Sequence, residues 1–101
     1  MNIQGLLKQA QQMQKDMSKV EGELKAKQYE KSIGGGVIKA IVSGEMQLID
    51  LQIGDSLMNE DKQELQEMLM SVVNEAFQAA LEDKESSMNE LTAGIKIPGG
   101  F

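Results

Sequence analysis

The amino-acid sequence predicts one α+β domain in which two helices flank three strands, in the order α-β-β-β-α. A length of 101 residues suits one domain. Apolar residues recur at helical spacing near both ends, and short β-branched runs between glycine turns fill the middle. We place one domain at 1–101, with helices at about 3–27 and 61–91, strands at about 29–33, 37–43 and 46–53, and a tail at 94–101.

The first helix is marked by an apolar stripe whose members alternate three and four positions apart. A strict two-in-seven stripe is the seam of a coiled coil, and it is narrower than the face of a helix lying on a globular core. We therefore expect this stripe, called the seam below, to pack against another helix, most simply its own copy. The seam consists of Ile3, Leu6, Ala10, Met13, Met17, Val20 and Leu24.

The middle of the chain has the composition of strands and turns. The stretch "VIKAIVS" at 37–43 is rich in β-branched and aliphatic residues, and "MQLIDLQI" at 46–53 follows after the short turn "SGE". These two stretches predict a hairpin. The glycines at 34–36 predict a turn and not a phosphate cradle, because no G-x-x-x-x-G-K-[ST] arrangement surrounds them.

The second helix follows the turn "GDS" at 54–56 and differs from the first in the width of its apolar face. That width favours packing on a sheet. The apolar face comprises Leu65, Met68, Leu69, Val72, Val73, Ala76, Phe77, Ala79 and Ala80, while the opposite side carries Glu64, Glu67, Glu75, Gln78 and Glu82. Pro98 excludes helix from the tail.

The composition argues against an enzyme. The chain has no histidine and no cysteine, which excludes the common zinc sites and the Ser–His and Cys–His nucleophile arrangements. We therefore predict no catalytic residues, no metal site and no cofactor. No apolar run approaches the length of a membrane span, and no secretory leader pattern is found, so we expect a cytoplasmic protein without a membrane partner.

Charge is distributed unevenly along the chain. Residues 1–44 hold seven lysines and four acids, net +3, and residues 45–101 hold three lysines and twelve acids, net −9. Within the first helix, Lys8 and Lys15 have no acid three or four positions away, whereas Lys19, Lys25 and Lys27 do. An uncompensated basic face is what binding to phosphates requires, but it is also typical of an ordinary solvated helix.

The residues available limit how nucleic acid could be recognised. The chain contains no arginine, so bidentate reading of guanine by arginine is absent. No aromatic side chain accompanies the lysines, which disfavours stacking on single strands. Any nucleic-acid binding is therefore expected to engage the duplex backbone, with weak sequence preference and strong salt dependence.

Four stretches in succession resemble the YbaB/EbfC family of bacterial nucleoid-associated proteins. They are "LLKQAQQMQKDM" at 6–17, "GGGVIKAIVSGEMQLIDLQIGDSLM" at 34–58, "DKQELQEMLMSVVNEAFQAA" at 61–80 and "IPGGF" at 97–101. The resemblance implies a tweezer-like homodimer with long projecting helices, location in the nucleoid, and binding of double-stranded DNA, in some members with a regulatory role. It attributes DNA contacts to charged residues of the projecting helix, here Lys8, Lys15, Lys19, Lys25 and Lys27.

An alternative function remains open from the sequence. The chain could be a dimeric module that binds another protein through its acidic C-terminal half, with little or no direct binding to DNA. A helix lying on a membrane surface is less favoured, because the first helix lacks Trp and Phe anchors and its apolar stripe is narrow.

Overall fold

A computed structural model, which describes residues 2–93, confirms the α+β class and the α-β-β-β-α order. The predicted tail at 94–101 lies outside the described residues. The molecule is elongated, with extents of 70 × 25 × 18 Å. Its main elements are α1 (Ile3–Lys25), β1 (Gln28–Ile33), β2 (Ile38–Ser43), β3 (Leu48–Ile53) and α2 (Lys62–Ala93).

The three strands form one antiparallel sheet in the order β1-β2-β3. The central strand β2 alternates strictly in burial, because successive side chains of a strand point to opposite faces. Its Ile38, Ala40 and Val42 are fully buried and form the centre of the core. One face of the sheet therefore carries the core, and the other carries polar side chains such as Lys39, which pairs with Glu30 of β1 at 3.7 Å.

Helix α2 covers the core face of β1 and β2. Its Val72, Ala76 and Ala80 are buried in the same cluster as the β2 residues, as the broad apolar face of this helix predicts. The small alanines let the helix backbone lie close to the sheet. A short 3₁₀ turn at Asp55–Asn59, which the sequence pattern did not reveal, precedes α2 and adds buried Leu57 to the core.

The turns explain where β2 and β3 begin. Gly34, Gly35 and Gly36 have φ values of 62°, 72° and 95°, a backbone that residues with a Cβ rarely adopt. Val37 follows with a helical backbone, at φ −71° and ψ −22°, so β2 begins only at Ile38. In the β2–β3 turn, Met46 has φ 63° and the Ser43 N–H donates to the Gln47 carbonyl at 2.8 Å. Because Met46 has a left-handed backbone and belongs to the turn, β3 begins at Leu48 and not at residue 46.

Helix α1 is anchored at its C-terminal end. The helix ends at Lys25, and the Leu24 carbonyl accepts a hydrogen bond from the Lys27 N–H at 3.1 Å. The Gly44 N–H of the hairpin turn donates to the Lys27 carbonyl at 3.0 Å. Gly44 lies so close to this end that a Cβ atom there would overlap the Leu24 carbonyl oxygen. The hairpin turn thus holds the point where α1 joins the sheet.

Candidate nucleic-acid interface

Three lysines of α1 lie along one side of the helix. Each residue of an α-helix advances by about 100° around the axis and about 1.5 Å along it. Lys15 and Lys19 therefore lie within about 20° of Lys8, to either side, and the three span roughly 16 Å. This row, called the lysine stripe below, faces away from the seam, whose members cluster on the opposite side of the same helix.

The lysine stripe is exposed and free of acidic partners. Lys8, Lys15 and Lys19 are all exposed, and none of them forms an ion pair within residues 2–93. Helical spacing predicted that Asp16 and Glu23 would compensate Lys19, but among residues 2–93 neither forms an ion pair with it. Instead, the Asp16 carboxylate accepts a hydrogen bond from the Gln12 amide at 3.0 Å. The structure thus leaves all three positive charges available to a ligand.

The remaining two predicted lysines lie elsewhere on the chain. Lys25 lies in the last turn of α1, about 100° around the axis from the stripe, where its charge complements the helix dipole. Lys27 lies beyond the helix, and its ammonium group contacts the Asp83 carboxylate of α2 at 3.0 Å. The structure therefore brings Lys8, Lys15 and Lys19 together and separates Lys25 and Lys27 from them.

Asp83 also binds the hydroxyl of Tyr29, which donates to the same carboxylate oxygen at 2.6 Å. Burial, this hydrogen bond and the Asp83 charge together raise the pKa of Tyr29 to about 12. The hydrogen bonds from Tyr29 and Lys27 lower the pKa of Asp83 below its ordinary value. Sequence reasoning missed this cluster, since Asp83 lies 54 and 56 positions from its partners; the one tyrosine of the chain was the available signal.

Burial of the seam changes along α1. Leu24 is 5% exposed and Val20, Met17 and Met13 are half-buried, whereas Leu6 and Ala10 are exposed. Ile3 at the far end is 65% exposed. The C-terminal part of the seam thus lies near the body, where α1 contacts α2, and the N-terminal part faces solvent.

A second apolar surface lies on β3. Leu51 pairs with Ala40 and Ile53 with Ile38, so both point to the core face, yet they are 36% and 37% exposed. Helix α2 covers β1 and β2 and leaves this strip open. Ile49, displaced by a register shift in the β2–β3 ladder, is also exposed.

Among residues 2–93, no group of three acidic, histidine or cysteine side chains could hold a metal ion. In the same range, no helix is sufficiently long and apolar to cross a bilayer. Asp50 accepts hydrogen bonds from its neighbours, the Gln52 amide at 2.8 Å and the Leu51 N–H at 3.0 Å, which is a local structural role.

This chain is similar in sequence and in fold to known proteins. The model of the YbaB/EbfC DNA-binding family matches residues 1–95. A nucleoid-associated protein of Thermoanaerobacter sp. strain X514 is 38% identical over 99% of this chain and 91% of its own length. A nucleoid-associated protein of Alkaliphilus metalliredigens is 41% identical over 99% and 89%. An uncharacterized Helicobacter pylori protein of known crystal structure is similar in fold, with a TM-score of 0.75, 34% identity, and coverage of 90% and 98%.

Proposed function

The chain belongs to the YbaB/EbfC DNA-binding family, and from this premise we propose that it binds duplex DNA in the bacterial nucleoid as a non-enzymatic homodimer. The observation that carries the proposal is the lysine stripe, three exposed cations in a row on the projecting part of α1. The role matches the names of the nucleoid-associated relatives.

The proposed mechanism is electrostatic. Each lysine ammonium group acts as a point charge that neutralises a phosphate and releases condensed counterions. The stripe spans roughly 16 Å, which corresponds to about five base-pair steps of 3.4 Å. Since phosphates repeat along every duplex, such contacts fix the position of the protein without reading the bases. Weak sequence preference follows, and any regulatory role would depend on where the protein accumulates.

The proposed homodimer accounts for the uncovered apolar surfaces. The N-terminal half of the seam and the open strip on β3 together expose Ile3, Leu6, Leu48, Ile49, Leu51 and Ile53. Burying apolar surface contributes about 25 cal/mol per Å², so covering these side chains with a second copy would stabilise both chains. A dimer also doubles the number of lysine stripes that one duplex can meet. Two lysine stripes in one dimer raise the avidity for DNA without any new type of contact.

A salt titration tests this function. The protein is mixed with several unrelated duplexes, and the dissociation constant is measured across a range of salt concentrations. Similar affinities for all duplexes and a steep loss of affinity with salt are expected. In the double variant Lys8→Gln plus Lys15→Gln, binding weakens for every duplex. The plot of log K against log salt also becomes less steep, by about two per stripe.

A matched control uses lysines outside the stripe. The double variant Lys31→Gln plus Lys39→Gln removes the same charge from the sheet. Its salt slope should stay close to that of the unmodified protein. If the unmodified protein shows no binding at low salt, the DNA function is refuted, and a protein partner for the acidic outer side of α2 becomes the better explanation.

A further inference from the structure

The cluster of Lys27, Tyr29 and Asp83 joins three elements at one point. Lys27 lies in the link after α1, Tyr29 lies on β1 and Asp83 lies on α2. Both donors meet a single carboxylate oxygen, at 3.0 Å from the Lys27 ammonium and 2.6 Å from the Tyr29 hydroxyl. A charge-assisted bond of 2.6 Å from a half-buried hydroxyl is short and strong. The Tyr29–Asp83 bond therefore differs from an exposed ion pair, which contributes little. The Lys27–Asp83 pair is more exposed, with side chains that are 52% and 32% accessible, so the hydroxyl makes the stronger of the two bonds.

The link at Lys27 is held from two directions. Its side chain is bound by α2 through Asp83, and its carbonyl accepts the Gly44 N–H from the hairpin turn at 3.0 Å. The preceding turn of α1 is packed through Leu24, which is 5% exposed. Backbone and side chain thus fix the position and the direction of the chain as it leaves α1.

The direction fixed at this link decides where the lysine stripe lies. Lys8 is 17 residues from Lys25, where α1 ends, which corresponds to roughly 26 Å of helix. A tilt of about 10° at the link would move Lys8 by about 5 Å, which is more than one base-pair step of 3.4 Å. Because the N-terminal half of α1 is exposed, contacts near its tip do little to oppose such a tilt in a single chain.

We propose that Asp83, with Tyr29 and Lys27, is a positioning residue that sets the angle at which α1 leaves the sheet and so aligns the lysine stripe with DNA. The proposal rests on the DNA-binding function proposed above. It assigns to an acidic residue a favourable role in binding a polyanion. It also implies that Lys27 contributes to binding through its partner on α2 and not by contacting a phosphate.

The variant Asp83→Asn separates this role from simple electrostatics, because the two predict opposite changes in the affinity for DNA. Removing one negative charge and releasing Lys27 should tighten DNA binding if charge alone matters. If Asp83 positions α1, binding instead weakens by about five- to tenfold, because the helix must be ordered again on DNA. The control Glu85→Gln removes one charge from an exposed position on the same helix and should leave binding unchanged or slightly tighter.

A second variant avoids any change of charge. Tyr29→Phe deletes the hydroxyl that donates to Asp83 and leaves the ring in place. Charge alone predicts no effect, whereas positioning predicts weaker binding, by about two- to threefold. This variant is also conservative enough to fold if Asp83→Asn does not.

The angle of α1 is measured directly by distances between spin labels. The chain has no cysteine, so Gln9→Cys on α1 and Ser32→Cys on β1 provide a clean label pair, diluted into excess unlabelled protein. The distance distribution should broaden or shift in Asp83→Asn and Tyr29→Phe but not in Glu85→Gln. An unchanged distribution, or tighter binding by Asp83→Asn, overturns the proposal. Because the measurement needs no DNA, it tests whether the cluster sets the angle of α1 even if the DNA-binding function is refuted.

Discussion

The two helices of this chain use their apolar residues in opposite ways. Helix α2 buries Val72, Ala76 and Ala80 against the sheet of its own chain, and it exposes mainly acidic and amide side chains. Helix α1 buries Leu24 near its anchored end and exposes Ile3 and most other residues of its N-terminal half. The difference separates a helix that builds the fold from one that is available to other molecules.

The largest change in stability is expected at the anchored end of α1. In Gly44→Ala, the new methyl group would overlap the Leu24 carbonyl oxygen, so the hairpin turn or the end of α1 must move. We expect a loss of about 3 kcal/mol in the free energy of unfolding, at the upper end of the usual cost of overpacking. Urea denaturation followed by circular dichroism measures it.

A second glycine provides the control. Gly22 lies inside α1 with nothing near the position of its missing Cβ, so Gly22→Ala should stabilise the protein by about 1 kcal/mol through helix propensity. Equal effects of the two substitutions would contradict the close packing at Gly44.

A smaller effect compares one apolar residue from each helix. Val72→Ala removes two methyl groups from a fully buried side chain and should cost about 2 kcal/mol at any protein concentration. Leu6→Ala, at a side chain that is 49% exposed, should change the stability of the isolated chain by no more than about 0.5 kcal/mol.

The concentration dependence of unfolding then sharpens the contrast. If the seam binds a second copy, Leu6→Ala weakens association and lowers Tm more at micromolar than at nanomolar concentration of protein. Thermal scans at several concentrations, together with sedimentation, measure this. A monomeric unmodified protein at micromolar concentration would refute the dimer and the interpretation of the seam.

The last comparison concerns the Lys27–Tyr29–Asp83 cluster, which joins α2 to β1 and to the link after α1. Tyr29 is the one tyrosine and there is no tryptophan, so the phenolate absorbance of the chain reports this residue alone. Its pKa of about 12 in the folded state lies above the ordinary value of 10.0. The hydroxyl therefore stabilises the fold fully below about pH 10, and this contribution is lost as the pH rises through 12.

Spectrophotometric titration measures the midpoint directly. In Asp83→Asn the midpoint should fall toward 10 but remain above it, because burial of the ring persists. A midpoint near 10 in the unmodified protein would show that the hydroxyl is neither buried nor bound to Asp83 in solution.

Local patterns predicted much of this fold. The seam spacing identified α1, the β-branched runs identified the hairpin, and the broad apolar face of α2 predicted its packing on the sheet. Periodicity is a local property, and the pattern that predicts each of these elements is contained in a stretch of about ten to thirty residues. The uncompensated charges of Lys8 and Lys15 could also be anticipated, because their neighbours are read directly from helical spacing, whereas Lys19 was expected to have acidic partners.

Contacts between distant residues could not be predicted in this way. Lys27 has Glu23 and Glu30 within four positions, yet it pairs with Asp83 on the other helix. The close approach of Gly44 to the Leu24 carbonyl depends on where the hairpin lies relative to α1. The left-handed backbone of Met46 is equally unexpected, since residues with a Cβ rarely adopt it. Each of these features depends on tertiary packing, which propensities do not encode.

The open strip on β3 has a consequence for the newly made chain. β3 lies at one edge of the sheet and has exposed side chains along its whole length. An uncovered apolar edge is a template for pairing with any other chain, and natural proteins normally protect such edges. If a second copy covers this strip, as in the proposed dimer, its arrival after synthesis competes with aggregation. Slow production at low temperature, or fusion of two copies in one polypeptide, should raise the yield of protein that remains in solution.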